Sequence, residues 1–350
     1  MTGTPRTAVV AYNLGGPDRP EAVKPFLFNL FNDPLIMRQP APIRWLLAKL
    51  ISSRRAKVAA EIYAKIGGRS PILELTRAQA RALESALGDP AIRVFVAMRY
   101  WHPFAGECAA ELRAFSPERI VLLPLYPQFS TSTTESFLRV WAPAAKAAGL
   151  AAPTTTLCCY PAAQGFIDAV TDMIRPAIER ARPWGPVRVL FSAHGLPTKF
   201  VAAGDPYQSQ VESTVAAIVA RLGIDGLDHV TCYQSRVGPL EWIRPYTDEE
   251  VRRAGAEKRA IVMVPVAFVS EHSETLVELD IEYAHLAKES GARAYVRVPA
   301  AGTHPDFIAG LAALTRQAIA HGPGLLSGEG GRICATPFGA CPFDRPERHA

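Results

Sequence analysis

The chain repeatedly places a short, almost wholly apolar run before a polar or glycine-rich turn and then continues with apolar residues at helical spacing. Runs of this kind occupy residues 7–14, 92–98 and 120–125 in the first half. A short run rich in β-branched residues is typical of a strand that is buried on both faces of a parallel sheet. The alternation of such strands with helices therefore predicts a doubly wound parallel sheet of the α/β class.

The second half of the chain repeats this order. Helical patterns separate the apolar runs at residues 187–192, 228–233, 260–269 and 294–298. A length of 350 residues is also typical of about two domains. We therefore expect two similar α/β domains that face a central cleft. Their boundaries are predicted as an N-terminal domain over residues 1–155, a C-terminal domain over residues 156–325 and a tail over residues 326–350.

Composition and local motifs argue against several classes of function. Basic and acidic residues are interspersed and the net charge is only +5, so no nucleic-acid partner is expected. The turn Gly15-Gly16-Pro17 lacks the G-x-G-x-x-G fingerprint, so no nucleotide cofactor is expected either. The apolar run before Asn13 is too short for a signal peptide, and no apolar stretch approaches the ~20 residues that span a bilayer. We expect a cytoplasmic protein, or one on the inner face of the membrane.

Residues 34–63 combine an apolar helical stripe, which includes Trp45, with basic side chains such as Arg54 and Arg55. A basic amphipathic helix can lie on a membrane surface or close over an anionic ligand. A core helix with a solvated basic side has the same pattern, and these residues alone leave both interpretations open.

Residues 260–285 join a strand pattern to an acidic helical pattern. On an α-helix capped by Ser273, the carboxylates of Glu274, Glu278 and Glu282 fall on one face within ~80° of arc. Such a row is destabilised by charge repulsion, and no Lys or Arg lies between Glu271 and His285 to relieve it. The row is either a solvated acidic face or a path for cations or protons.

A histidine, His194, follows the apolar run 187–192 and precedes Gly195. Because ligands of open α/β sheets bind at the carboxyl ends of strands, His194 and residues 271–274 share one edge if their strands are neighbours. Imidazole and carboxylate ligands with open positions suit Fe(II), Zn(II) or Co(II). An imidazole near neutrality equally serves as a general base.

The order and spacing of these residues resemble the ferrochelatase family, whose members insert Fe(II) into a porphyrin to make heme. The resemblance covers nearly the whole chain, from YNLGGP at Tyr12 onwards. Its motifs are Arg54-Arg55, YAKIGGRSPI from Tyr63, RYWHP from Arg99, YPQFSTSTTE from Tyr126, LFSAHGLP from Leu190, YQSRVGP from Tyr233 and FVSEHSETLVELDIEY from Phe268. The resemblance implies a lyase with two Rossmann-like domains, and protoporphyrin IX and ferrous iron as its substrates.

The resemblance also implies roles for individual residues. His194 matches the family's active-site histidine and Glu274 the carboxylate opposite it, so both are candidate catalytic residues and metal ligands. Our hypothesis is that His194 accepts pyrrole protons from one face of the porphyrin while Glu274 presents Fe(II) from the other, and the reverse assignment stays open. The candidate acidic path consists of Glu271, Glu278 and Glu282. The candidate porphyrin-binding residues are Tyr12, Asn13, Leu14, Arg54, Arg55, Tyr63, Arg99 and Tyr126.

The cysteines raise the question of an iron–sulfur cluster. Cys334 and Cys341 resemble part of the C-x₆-C-x-C tail with which some relatives hold a 2Fe–2S cluster, and Cys158 matches an internal ligand. Phe343 stands where the third tail cysteine is expected, although a cluster normally needs four protein ligands. The alternatives are a cluster completed by Cys159 or Cys232, and a tail with free thiols.

Two other functions compete with protoporphyrin metallation. Metal insertion into coproporphyrin III or a corrinoid precursor would involve a different number of propionates, whereas Arg54, Arg55 and the apolar residues 43–51 suit two propionates and an apolar edge. A non-catalytic heme or metal carrier on the same fold would need neither a base nor a proton path, so a His194–Glu274 pairing argues against it. The poor solubility of a porphyrin favours peripheral membrane association.

Overall fold

The computed structural model describes residues 5–334 and 338–344 of the chain. The described residues divide into two compact units. The first unit comprises residues 5–159, 311–332 and 342–344, and the second comprises residues 160–310, 333–334 and 338–341.

The strands, numbered in chain order, are β1 (Thr7–Asn13), β2 (Ile92–Met98), β3 (Arg119–Pro124), β4 (Thr154–Leu157), β5 (Val187–His194), β6 (His229–Gln234), β7 (Ala260–Pro265), β8 (Ala294–Arg297) and β9 (Gly324–Leu326). The α-helices are α1 (Val23–Phe31), α2 (Ala41–Ala64), α3 (Ile72–Leu87), α4 (Ala105–Phe115), α5 (Thr134–Ala147), α6 (Gln164–Ala181), α7 (Thr198–Ala202), α8 (Tyr207–Leu222), α9 (Thr247–Ala256), α10 (Ala284–Glu289) and α11 (Pro305–His321). Short 3₁₀ helices span Pro20–Ala22, Arg182–Trp184 and Pro342–Asp344, and a π-helix spans Glu274–Tyr283.

The first unit is built on a parallel sheet with the strand order β2-β1-β3-β4-β9. Every residue of β1 is buried, as expected for a central strand covered by helices on both faces. Part of the core is an aromatic stack in which the ring of Tyr12 lies 4.0 Å from that of Phe137 on α5. The strand β9 pairs with β4 and completes the first sheet. Its first two residues belong to the predicted C-terminal domain over residues 156–325, and Leu326 is the first residue of the predicted tail.

The second unit is built on a parallel sheet with the strand order β6-β5-β7-β8. Its core includes Leu190 of β5, Ile261 of β7 and Leu279 of the π-helix, all fully buried. The predicted α/β fold class, with two similar parallel-sheet units, is therefore confirmed.

Both sheets share one topological feature. In the first unit, β2 and β3 lie on opposite sides of β1, and in the second unit β6 and β7 lie on opposite sides of β5. The strand order therefore reverses direction between β1 and β3 and again between β5 and β7. Ligands of doubly wound sheets bind at such a switch point, outside the carboxyl ends of the strands. The two switch points are therefore the places where functional residues are expected.

The acidic segment differs from its predicted form. Residues Glu274–Tyr283 form a π-helix, in which hydrogen bonds run from residue i to i+5, so the α-helical spacing assumed for the glutamate row is wrong. Residues spaced four apart still lie near one face of a π-helix, whose turn is less than one residue wider than that of an α-helix. π-helical turns are uncommon and often lie at functional sites, which directs attention to this helix.

Candidate active site

The switch point of the second unit brings together the two residues that the sequence analysis paired. His194 is the last residue of β5, and Glu274 opens the π-helix that follows β7. The Nε2 atom of His194 lies 3.6 Å from Oε1 of Glu274, and the two side chains are 38% and 29% exposed. The pair is thus fixed by the sheet while remaining open to a ligand.

The imidazole of His194 has a defined orientation. Its Nδ1 atom lies 2.5 Å from the carbonyl oxygen of Gly195, and because a carbonyl only accepts, Nδ1 carries the proton of this bond. The hydroxyl of Tyr207 donates to the main-chain carbonyl of His194 over 3.0 Å. These contacts leave Nε2 as the nitrogen that faces Glu274 and is available to take up a proton or bind a metal.

Close backbone packing explains the glycine at position 195. A Cβ atom there would lie 2.8 Å from the carbonyl oxygen of Gln234 and 3.0 Å from the ring of Trp242. The amide of Gly195 also donates to that carbonyl over 2.8 Å. The loop after β5 can follow this path only without a side chain at residue 195.

Two histidines flank the carboxylate of Glu274. Its Oε2 atom lies 3.4 Å from Nε2 of His272, a buried residue, while Oε1 faces His194. Burial by itself raises the pKa of Glu274, but the charge of His194 and the hydrogen bond and charge of His272 outweigh burial and lower the pKa to about 2. Glu274 is therefore an ionised carboxylate at neutral pH.

Four donors hold the carboxylate of Glu278. Oε1 accepts from the backbone amide of Ser235 and from the hydroxyl of Tyr283, each over 2.8 Å. Oε2 accepts from Nε2 of Gln234 over 2.9 Å and from the hydroxyl of Ser235. Burial and the neighbouring charge of Glu274 raise the pKa of Glu278 despite these donors. Glu278 is thus anchored to the carboxyl end of β6.

The other two candidate acidic residues lie in different surroundings. Glu271 accepts from the guanidinium of Arg297 over 2.6 Å and from the amide of Ala300 over 2.9 Å. Burial raises the pKa of Glu271, but Arg297 outweighs burial and the pKa is lowered. Glu282 is exposed on the π-helix. Arg297 on β8 therefore provides the positive charge that the local sequence around Glu271 lacks.

Several candidate porphyrin-binding residues lie at the corresponding edge of the first sheet. Tyr12 and Asn13 end β1, with Leu14 next, and Arg99 and Tyr126 follow β2 and β3 closely. Nε of Arg99 donates to the hydroxyl of Ser136 over 2.6 Å, and its Nη2 donates to Asp33 over 2.8 Å. The switch point of the first unit thus gathers five of the eight candidates.

The remaining three candidates lie on α2. Tyr63 is buried beside Phe26 and Tyr100, whereas Arg54 and Arg55 are exposed. The same helix exposes a set of apolar side chains, namely Ile43, Trp45, Leu46, Leu50 and Val58. In the described part of the chain, no helix is long and apolar enough to cross a membrane.

The cysteines do not form a recognisable cluster site within either unit. In the first unit the Sγ atoms of Cys158 and Cys159 lie 3.3 Å apart and both residues are buried. In the second unit Nε2 of Gln210 donates to Sγ of Cys334 over 3.1 Å, and Cys341 is buried. Across residues 5–334 and 338–344, no group of three or more His, Cys, Asp or Glu side chains is arranged to hold a metal ion. Neither unit by itself therefore groups the four protein ligands that a cluster normally needs.

Sequence reasoning missed four residues that the site uses: Tyr207, Gln234, Ser235 and Arg297. Gln234 and Arg297 are the last residues of β6 and β8, and Ser235 follows β6 directly, so the carboxyl-end rule could have found them. Tyr207 acts through a main-chain carbonyl, for which the sequence carries no signal.

Comparison with solved structures gives the fold. SirB from Bacillus subtilis with Fe³⁺ has a TM-score of 0.52 and 12% identity, and covers 90% of this chain and 96% of its own. The sirohydrochlorin chelatase SirB from Bacillus subtilis subspecies spizizenii, in complex with cobalt, has a TM-score of 0.53 and 11% identity over the same shares. At this identity the likeness shows the fold alone, which is that of the two-domain chelatases.

Comparison with sequences gives the family. The ferrochelatase family model matches residues 6–319. The ferrochelatase of Caulobacter vibrioides is 53% identical over 97% of this chain and 98% of its own length. That of Phenylobacterium zucineum is 54% identical over 95% and 99%. The chain belongs to the ferrochelatase family, and it is a lyase of heme biosynthesis that inserts iron into porphyrin to give protoheme.

Proposed function

We propose that His194 and Glu274 carry out this reaction on protoporphyrin IX and Fe(II), with release of two protons. The observation that supports the proposal is the pairing itself: an imidazole nitrogen of fixed orientation 3.6 Å from a carboxylate that stays ionised. Metallation breaks two pyrrole N–H bonds while the nitrogens bind the metal, so the reaction needs a proton acceptor and a metal-presenting group.

His194 is the proposed proton acceptor. Its Nδ1–H bond to Gly195 makes Nε2, the atom that faces Glu274, the nitrogen at which the ring gains or loses a proton. A positioned general base contributes about 10²- to 10⁴-fold to a rate. Glu274 is the proposed metal-presenting group, because an ionised carboxylate suits Fe(II). Glu271, Glu278 and Glu282 are the proposed acidic path that relays metal or protons away from it.

Substrate binding has to separate the pair. Non-bonded atoms rest about 3.5–4 Å apart, so a macrocycle between His194 and Glu274 needs roughly twice the 3.6 Å that joins Nε2 to Oε1. A site that then holds a puckered ring would favour the transition state, since puckering exposes the pyrrole nitrogens.

Residues of the first unit are proposed to bind the porphyrin. Arg54 and Arg55 are exposed cations suited to two propionates, and Tyr12, Asn13, Leu14, Tyr63, Arg99 and Tyr126 are proposed to line the porphyrin pocket. Coproporphyrin III carries four propionates and would need more basic partners. The assay therefore compares the two porphyrins under identical conditions.

An anaerobic assay of iron insertion tests the proposal. Wild-type protein is expected to metallate protoporphyrin IX faster than coproporphyrin III, and His194→Ala to lose at least 100-fold in kcat. His229→Ala is a matched control, because His229 is exposed at the start of β6. An inactive wild type, or a fully active His194→Ala, contradicts the proposal.

A 2Fe–2S cluster stays a prediction of the sequence. The tail carries two cysteines, with Phe343 at the third position, and neither unit groups three cysteines. The visible spectrum of anaerobically purified protein, before and after reduction, tests the prediction. A charge-transfer band that bleaches on reduction supports a cluster, and colourless protein contradicts it.

Peripheral membrane association is proposed for α2, with the protein on the inner face of the membrane. The helix presents Trp45 and Leu46 to solvent beside Lys49, an arrangement suited to an anionic lipid surface. Replacing Trp45, Leu46 and Leu47 by Gln is expected to abolish co-sedimentation with anionic vesicles. Unchanged co-sedimentation contradicts the association.

A further inference from the structure

The π-helix is attached to both edge strands of the second sheet. On one edge, Nε2 of Gln234 at the end of β6 donates to the main-chain carbonyl of Glu274 over 2.9 Å. On the other edge, the hydroxyl of Tyr295 on β8 donates to the carbonyl of Leu279 over 2.7 Å. Since β6 and β8 are the outermost strands, these contacts hold the helix that carries Glu274 from both sides of the sheet.

The strongest of these attachments is Arg297, the last residue of β8. Its Nε and Nη2 atoms donate to the two carboxylate oxygens of Asp280 over 2.5 and 2.8 Å, a bidentate fork. Its Nη1 atom donates to Glu271 over 2.6 Å. The side chain of Arg297 is only 14% exposed, so these bonds are largely shielded from water. One guanidinium therefore joins two carboxylates of the segment that includes Glu274.

We propose that Arg297 is a positioning residue for Glu274, an inference that rests on the proposed role of Glu274 in presenting the metal. Glu271 precedes Glu274 by three residues and Asp280 follows it by six, so Arg297 restrains the chain on both sides of the carboxylate. Arg297 touches neither Glu274 nor His194 in this arrangement and acts through the main chain of the π-helix.

The physical reason is the weakness of the π-helix itself. Its backbone hydrogen bonds span five residues and it rarely extends beyond one turn, whereas here it runs for 10 residues. Contacts outside the helix have to compensate. Without Arg297, Glu271 and Asp280 would also repel each other and the nearby Glu274 and Glu278. A displacement of about 1 Å in a reacting group can cost 10²-fold in rate.

Arg297→Gln tests the inference by anaerobic Fe(II) insertion and by quenching of protoporphyrin IX fluorescence on binding. We expect kcat/KM for Fe(II) to fall at least tenfold while the Kd for protoporphyrin IX changes less than twofold. Arg221→Gln is the matched control. This substitution removes the ion pair in which Nε of Arg221, an exposed residue on α8, lies 2.5 Å from Oδ1 of Asp168. The variant is expected to keep the wild-type kcat/KM.

Two further variants separate positioning from folding. Arg297→Lys keeps the charge without the fork and is expected to recover part of the loss. Asp280→Asn keeps the Glu271 bond and is expected to lose activity even if Arg297→Gln does not fold. A folded Arg297→Gln with wild-type kcat/KM overturns the inference. The inference is also overturned if Arg297→Gln loses no more activity than is explained by its unfolded fraction at the assay temperature, measured by circular dichroism. An inactive wild type would instead contradict the proposed function.

Discussion

Both ring nitrogens of His272 face oxygen acceptors, and one of these acceptors is Glu274. Nε2 lies 3.4 Å from Oε2 of Glu274, and Nδ1 lies 3.2 Å from the carbonyl of Ser270. His272 thus holds the carboxylate from behind, while the opposite oxygen faces His194. The orientation of Glu274 depends on a residue that need not touch the substrate.

Replacement of His272 by Phe removes that support. Loss of a partner that orients a metal-binding group typically costs 10- to 100-fold, so kcat/KM for Fe(II) is expected to fall by about that factor. Steady-state kinetics under anaerobic conditions measure it, with His272→Gln as the control because its amide can still donate to Glu274. Equal activity of His272→Phe and wild type would show that His272 has no part in orienting Glu274.

Glu278 and Glu282 are expected to respond differently to the same change. Glu278→Gln places an amide NH₂ group against the donors of Ser235, Gln234 and Tyr283, so one or more hydrogen bonds are lost and the relay is interrupted. We expect kcat to fall at least tenfold. Glu282 is exposed, so Glu282→Gln is expected to weaken the relay without disturbing buried groups and to lower kcat by a smaller factor than Glu278→Gln. Equal losses in the two variants would show that the buried hydrogen bonds of Glu278 add nothing to its role in the relay.

Gly195→Ala is expected to disturb the site without touching a titratable group. The new methyl group would lie 2.8 Å from the carbonyl of Gln234, so the backbone has to move and His194 moves with it. We expect at least a tenfold loss in kcat and a lower melting temperature. Gly106→Ala is the control, since a Cβ atom at residue 106 on α4 meets nothing within 4 Å. A fully active Gly195→Ala would mean that the loop after β5 tolerates the shift.

The stability of the second unit is expected to depend on pH through Arg188 of β5. Its Nη2 atom donates to Glu257 over 2.7 Å, and this hydrogen bond lowers the pKa of Glu257. A carboxyl group whose pKa is lower in the folded state stabilises the fold at any pH above its ordinary pKa. This stabilisation is lost as the pH falls through the lowered pKa of the folded state. Urea unfolding is therefore expected to show Arg188→Met less stable than wild type at pH 7, with a smaller difference at pH 3.5. A constant difference would contradict this linkage.

The sequence by itself determined the fold class and the edge of the sheet where function lies. Short apolar runs that alternate with helical patterns are typical of a covered parallel sheet, and the residues after such strands meet at one end because the strands run in the same direction. Because β5 and β7 are neighbouring parallel strands, His194 at the end of β5 and Glu274 after β7 lie at the same end of the sheet.

Only the tertiary structure decided how that pair is held. The α- and π-helix differ by less than one residue per turn, which the spacing of Glu274, Glu278 and Glu282 does not resolve. The partners of the acidic segment lie far along the chain: Gln234 and Ser235 on one edge, Arg297 on the other. Which side chains meet across a sheet depends on strand order, register and side-chain direction, and these are set only when the whole unit has folded.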